Sequence, residues 1–349
     1  MTTACIAFDP SREAAWDAFV AAHPDGTFFH RAGWREVIER AFGHRTHYLM
    51  AERDGAVVGV LPLAHVRSVL FGQSLVSVPF CVYGGPLALD SAALAALRQA
   101  AEVVMAQTGV KVMEWRPLHP LPDDGEALPG WQTRGDLYVT FRKSITGDDD
   151  SNMKAIPRKQ RAMVRKGIDW GLASVVNQDV ATLHRVYAES VRNLGTPVFS
   201  RRYFEILAEV FADSLDVLTV FDGGVAVAAV MNFYWRDEVL PYYGGGTAAA
   251  RACYANDFMY WEVMRHAAAR GCRLFDYGRS KIGTGAFSFK KNWGFTPQPL
   301  QYRFRLAPGA SIPDHNPLNP KYRLFIAAWK KLPLPVANLL GPHIVRGVG

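Results

Sequence analysis

One half of this sequence answers the other, and that repeat narrows the fold more than any single motif. FFHRAGWREVIERAFG in the first half is matched by VFSRRYFEILAEVFAD in the second. Setting Phe29 on Phe199 places Trp34 on Phe204 in two similar amphipathic helices. Each follows a helix of its own, Arg12–Ala22 or Val180–Asn193. HYLMAERDGAVVGVLPLAHV then answers DVLTVFDGGVAVAAVMNFYW. Both alternate as strands do, around tight turns at Asp54-Gly55 and Gly223-Gly224. VYGGPLAL answers YYGGGTAA, read as a strand ending in tyrosine and a glycine pair. A helix follows in each half, Ala92–Thr108 or Asp257–Arg270, closed by Gly109 or Gly271. A short strand then carries an acid, Glu114 in VKVMEW or Asp276 in CRLFDY. Landmarks in the same order at nearly constant offset predict two tandem modules of plan helix–helix–hairpin–strand–helix–strand. They meet near GDDDSN (147–152), a polar, linker-like run.

The remaining chain is ordinary soluble material. At 349 residues it exceeds one comfortable core, and 49% apolar residues are enough to fill two. The net charge of +7 fits an anionic partner or generic solubility alike, so the placement of charge must decide. Cys5, Cys81, Cys253 and Cys272 lie far apart without a CxxC spacing and read as reduced thiols. The start, MTTACIAFDPSREAAW, lacks a basic run leading into an apolar one, and no stretch approaches the roughly 20 apolar residues of a membrane span. The expected location is the cytoplasm, or the inner face of the cytoplasmic membrane.

Charge is concentrated in KAIPRKQRAMVRK, residues 154–166, which carries six cations and no acid. Pro157 suits a first helical turn and Gly167 a helix end. On that helix Arg158, Arg161 and Arg165 fall at i, i+3 and i+7 and form one stripe suited to phosphate. A solvated linker helix is the alternative. The run FDYGRSKIGTGAFSFKKNWGF, residues 275–295, invites comparison with phosphate loops. Gly278–Gly285 has no Lys after its second glycine, so it is no Walker A loop, and Gly283-Thr-Gly285 continues to Ser288, not Gly. His44-x-x-His47 has no third ligand nearby, so no metal is expected. No GxSxG supports a hydrolase.

A mixed sheet of hairpins followed by strand–helix–strand is the order of the GNAT acyltransferase fold. With two such modules, the sequence resembles the FemAB/FemX family of non-ribosomal peptidyl and aminoacyl transferases. The resemblance runs from Phe29 to about Leu306 and is most specific in IPRKQRAMVRKG, ESVRNLGTPVFSRRYF and FDYGRS…FSFKKNWGF. The closing NPLNPKYRLFIAAWKKLPLPVANLLGPHIVRG is similar to the branch beside exosortase/PEP-CTERM exopolysaccharide systems. The resemblance implies an α/β fold with mixed sheets and two tandem GNAT-like domains. They would cover 1–146 and 147–306, the second including the basic helix 154–166. A helical tail, 307–349, would pack on the domains or lie on an anionic membrane face. The tail helix would start at an Asn–Pro signal and stop at Pro333 and Pro335.

The same resemblance implies an N-acyltransferase that forms an amide on an amine of a peptidoglycan-type or exopolysaccharide precursor. No tightly bound cofactor is implied; the co-substrate is acyl-CoA or aminoacyl-tRNA. The acceptor is a small-molecule or lipid-linked sugar or peptide, with tRNA as a partner in the aminoacyl case and no DNA. Lys290 matches the family's FK-x-x-[FW]-G lysine and is assigned to stabilising the oxyanion. Asp276, Arg279 and Ser280 face the groove, with an Asp276–Arg279 structural pair as the alternative. Asp276 and Glu114 are the obvious carboxylates for a base, unless the substrate moves its own proton. Glu114 with Arg116 would otherwise bind substrate in the first domain. Arg192, in RNLGTP, is a phosphate contact by resemblance, although Pro197 breaks the coenzyme A loop pattern. Asp257 reads as a helix cap. Two further functions stay open: acyl-CoA-dependent acylation of an exopolysaccharide amino sugar, and a non-catalytic scaffold for anionic lipid-linked precursors.

Overall fold

The computed structural model describes residues 3–69, 71–121, 128–313 and 320–348, with backbone alone for 320–323. The chain forms two compact units. The first comprises Met1–Leu137, Pro299–Asp314 and Arg346–Gly349, and the second Tyr138–Gln298 and His315–Val345. The expected division after residues 146 and 306 therefore gives way to a different partition, because the strand before the first boundary belongs to the second sheet and the strand before the second boundary to the first.

The first unit opens with β1 (Ala4–Ala7), then α1 (Glu13–Ala22) and α2 (Gly33–Phe42). Helix α2 ends at Gly43, left-handed at φ 64°. The expected hairpin follows as β2 (Arg45–Arg53) and β3 (Ala56–Ser68), and β4 (Gly72–Ser77) pairs back on β3. VYGG is not a strand here. Residues 78–86 form an irregular loop with Val78 and Phe80 at positive φ, and only β5 (Leu87–Ala88) is extended beyond it. Next come α3 (Ser91–Thr108), capped by Asp90 and closed by Gly109, then β6 (Val112–Trp115) and β7 (Trp131–Arg134). Leu94, Leu97 and Ala101 of α3 pack on Leu49, Leu61 and Leu63 of the hairpin.

The second unit begins with β8 (Val139–Ser144), which the sequence reading left in the first. GDDDSN is no linker: Asp148 caps α4 (Asp149–Ala155). Helix α5 (Arg158–Asp169) runs past Gly167, which is not its end. A Cβ on Gly167 would lie 2.8 Å from Phe258 Cβ, so the glycine lets another helix approach closely. Then come β9 (Ala173–Asn177), α6 (Val180–Leu194) and α7 (Arg201–Val210). The hairpin β10 (Leu215–Asp222) and β11 (Val225–Trp235) is followed by β12 (Glu238–Gly246), α8 (Ala255–Ala269) and β13 (Leu274–Asp276). Helix α9 (Gly285–Asn292) and β14 (Pro297–Pro299) complete this part. Strand β15 (Tyr302–Leu306) returns to the first sheet, between β6 and β7.

The sheets are ordered β1-β2-β3-β4-β6-β15-β7 and β14-β8-β13-β12-β11-β10-β9. In each, one parallel pair is very short: Leu75↔Met113 and Val76↔Glu114 in the first, Glu238↔Leu274 and Val239↔Phe275 in the second. Beyond those residues the strands part, which is how a sheet opens a groove in its own face.

The tail forms α10 (Pro320–Trp329) and α11 (Leu334–Val345). The start signal at Asn319 lies outside the described residues. Pro335 sits in the first turn of α11, where a missing N–H costs nothing, so it begins a helix instead of ending one. Leu334 packs on Ala188, Val191 and Val198, and a Cβ at Gly341 would meet the Val198 backbone at 2.8 Å.

Candidate active site

The glycine-rich run is mostly ordered secondary structure. Thr284 caps α9, accepting from the Phe287 amide, so Lys290 stands on a helix and not in a loop. Its neighbour Lys291 is exposed, whereas Lys290 turns inward. Its Nζ donates to the carbonyls of Gly278 at 3.1 Å and Arg279 at 2.9 Å and lies 5.7 Å from the centre of the Phe141 ring. An ammonium has three N–H bonds, and among the described residues two of them have partners. Burial pushes the Lys290 pKa down to about 7; Asp276 opposes this and Arg279 adds to it.

Those carbonyls lie on the edge where the second sheet splits. After Val239↔Phe275 the chain leaves β12, yet it keeps β8 on its other side. The Tyr277 amide donates to Phe141, and Ser280 exchanges both backbone hydrogen bonds with Val139. A bulge between Met231 and Asn232 in the β11–β12 pairing bends β12 near the same split.

Asp276 is 1% exposed. Its Oδ1 accepts from the Gly278 amide at 2.6 Å, and Oδ2 pairs with Arg142 Nε at 3.1 Å. Arg142 also pairs with Glu238 on β12 and so ties together both strands that diverge. The structural pair expected for Asp276 thus exists, with Arg142 in place of Arg279. The Arg279 guanidinium lies over the Tyr138 ring, Cζ 4.5 Å from its centre. Ser280 is buried, and its Oγ has no hydrogen-bond partner among the described residues.

Asp257 does not cap α8, whose N-cap is Tyr254 in the left-handed region. Gln160 of α5 and the Trp293 indole both donate to Asp257 Oδ1, the indole at 3.0 Å. A Cβ on Gly294 would lie 2.9 Å from Pro157 Cδ. Two of the three most specific sequence segments, through IPRKQ and KKNWGF, therefore interlock around one carboxylate whose pKa burial raises.

Helix α5 turns Gln160, Val164 and Gly167 inward and leaves Arg158 and Arg165 exposed. Arg161 is partly covered and reaches the Lys154 carbonyl at 3.4 Å. None of the three arginines makes an ion pair among the described residues. Arg192 lies in the last turn of α6; one N–H points to the Lys330 carbonyl at 3.3 Å, while its buried Nε has no partner among the described residues. In the first unit Glu114 and Arg116 meet each other at 2.7 Å. Arg116 is 2% exposed; its guanidinium donates to the Cys81 carbonyl, and its backbone carbonyl accepts from the Gly84 and Gly85 amides. There it fills the position where the first sheet splits.

Arg142, Glu238, Gln160 and Trp293 were missed as site-forming residues. Gln160 and Trp293 sat inside segments already singled out; for Arg142 and Glu238, pairing across distant strands leaves no local signal.

Residues 151–291, from α4 to Lys291 of α9, match the family model described as an acetyltransferase (GNAT) domain. No curated protein matches this sequence. Among solved structures, the crystal structure of FemX is 15% identical, with 92% of this chain and 99% of that one covered at a TM-score of 0.70. L-PGS from Bacillus licheniformis is 14% identical, covering 98% and 97%, at 0.57. A tandem GNAT protein from the clavulanic acid biosynthesis pathway is 12% identical, covering 88% and 100%, at 0.54. The fold is thus that of tandem GNAT proteins, and the second unit is an acyltransferase domain of the GNAT type.

Proposed function

We propose that this chain is a FemAB-like N-acyltransferase that joins an acyl or aminoacyl group to an amine of a cell-envelope precursor. The observation that carries the reading is Lys290. It stands beside the split of the second sheet, with its ammonium held by two carbonyls and, among the described residues, one N–H left over. Amine attack on an ester or thioester carbonyl puts negative charge on the carbonyl oxygen. A fixed N–H at that point stabilises the transition state more than the ground state. The donor is acyl-CoA or an aminoacyl-tRNA. The stripe Arg158, Arg161 and Arg165, which makes no ion pair among the described residues, supports a phosphate-bearing donor of either kind. The buried Asp276, held by Arg142 and the Gly278 amide, positions the turn that seats Lys290; the attacking amine passes its proton to solvent or to the substrate.

The FemX likeness and the envelope branch suggested by the tail sequence support a peptidoglycan-type or exopolysaccharide acceptor. The test offers labelled aminoacyl-tRNA and labelled acyl-CoA in parallel, with amino-sugar and peptide amines as acceptors. Transfer from one donor, falling roughly 10²–10³-fold in Lys290→Met, is expected. Salt-sensitive binding of both donors with no transfer to any amine points to the scaffold reading.

A further inference from the structure

The second tail helix, α11, is apolar on both of its faces. One face of α11 is docked: Leu334 and Ala337 are covered, and Gly341 abuts Val198. The opposite face carries Val336, Leu339, Leu340 and His343 at i, i+3, i+4 and i+7, all exposed, with Leu339 at 69%. Helix α11 contains no charged residue apart from what His343 contributes when protonated. In α10, Trp329 is buried while Leu324 is 84% exposed and Phe325 42%. Between the helices Lys330 and Lys331 stand in solvent.

A helix that is apolar all round and still open to water lacks a partner. Charge says which kind. From His315 to the last residue the sequence holds five Lys or Arg and no Asp or Glu. A second copy packed face to face would set Lys330 and Lys331 against their own equivalents with no acid from the tail to neutralise them. An anionic bilayer supplies both an acyl region for the leucines and phosphates for the lysines. No helix among the described residues is long and apolar enough to cross a membrane, so the tail would lie along the surface.

We infer that Leu324, Phe325, Val336, Leu339 and Leu340, flanked by Lys330 and Lys331, form a docking face for an anionic membrane surface. This inference does not depend on the reaction proposed above. The experiment is co-sedimentation of the full chain with phosphatidylcholine vesicles, with and without phosphatidylglycerol. Binding to the phosphatidylglycerol vesicles is expected, weakened by salt and reduced about tenfold or more in Leu339→Glu/Leu340→Glu. Lys330→Gln/Lys331→Gln should lose the preference for the anionic vesicles. Because the four side chains are exposed, thermal unfolding should not change, which separates lost binding from lost fold. Equal sedimentation of wild type and both variants overturns the inference. So does a dimer in light scattering that the leucine substitutions dissolve.

Discussion

Asp276 and Lys290 hold the same residue by its two ends. The carboxylate accepts the Gly278 amide at 2.6 Å, and the carbonyl of Gly278 takes a hydrogen bond from Lys290 at 3.1 Å. Arg142 anchors the carboxylate from behind and reaches Glu238 across the splitting strands. The lysine is thus set by a relay that begins in the sheet.

The relay separates a positioning Asp276 from a catalytic base. Asp276→Asn keeps an oxygen for the Gly278 amide but gives up its charge beside Arg142. Its kcat is expected to stay within about tenfold of wild type, with a lowered Tm. Asp276→Ala should lose far more activity. A general base would instead lose about 10²–10⁴-fold in the asparagine variant, and steady-state rates of both variants decide the matter.

Lys290 also shapes stability against pH. Its folded pKa of about 7 lies below the ordinary lysine value of 10.5. Between those values the unfolded chain holds a proton that the folded chain has released, so stability rises with pH. Below about 7 both states carry the proton, and the destabilisation is complete and constant. The slope approaches about 1.4 kcal/mol per pH unit for one proton. Denaturant unfolding from neutral to alkaline pH should show it in wild type, and Lys290→Met should flatten that part of the curve.

The ammonium assignment has a kinetic counterpart. If the charged form stabilises the oxyanion, kcat falls as pH rises through about 7, by up to about tenfold per unit. A rate that only climbs across that range, matching release of the proton, would make Lys290 a base instead.

At Gly167 the structure predicts a packing failure. A methyl group there meets Phe258 Cβ at 2.8 Å, between two helices joined by the hydrogen bond from Gln160 to Asp257. Gly167→Ala is expected to cost about 1–3 kcal/mol despite alanine's better helix propensity. Chemical denaturation measures the loss directly.

The arginine stripe has a salt signature. Replacing Arg158, Arg161 and Arg165 by Gln together should lower the slope of log K against log salt for a polyphosphate or tRNA ligand by about 2–3. An unchanged slope would return α5 to the role of a solvated helix.

Read along the chain alone, residue spacing and end signals foretold the paired helices, both hairpins, the closing glycines at Gly109 and Gly271, and the strands bearing Glu114 and Asp276. These depend on intervals of two to four residues and on backbone preferences of single residue types, so a short window contains them. The tertiary structure alone decided that β8 belongs to the second sheet and β15 to the first, that Arg142 holds Asp276, and that Asp257 gathers Gln160 and Trp293. Strand partners and buried ion pairs join segments far apart in sequence, and no local pattern specifies them. The carbonyls that seat Lys290 were the least visible of all, because every residue carries the same one and only the fold aims it.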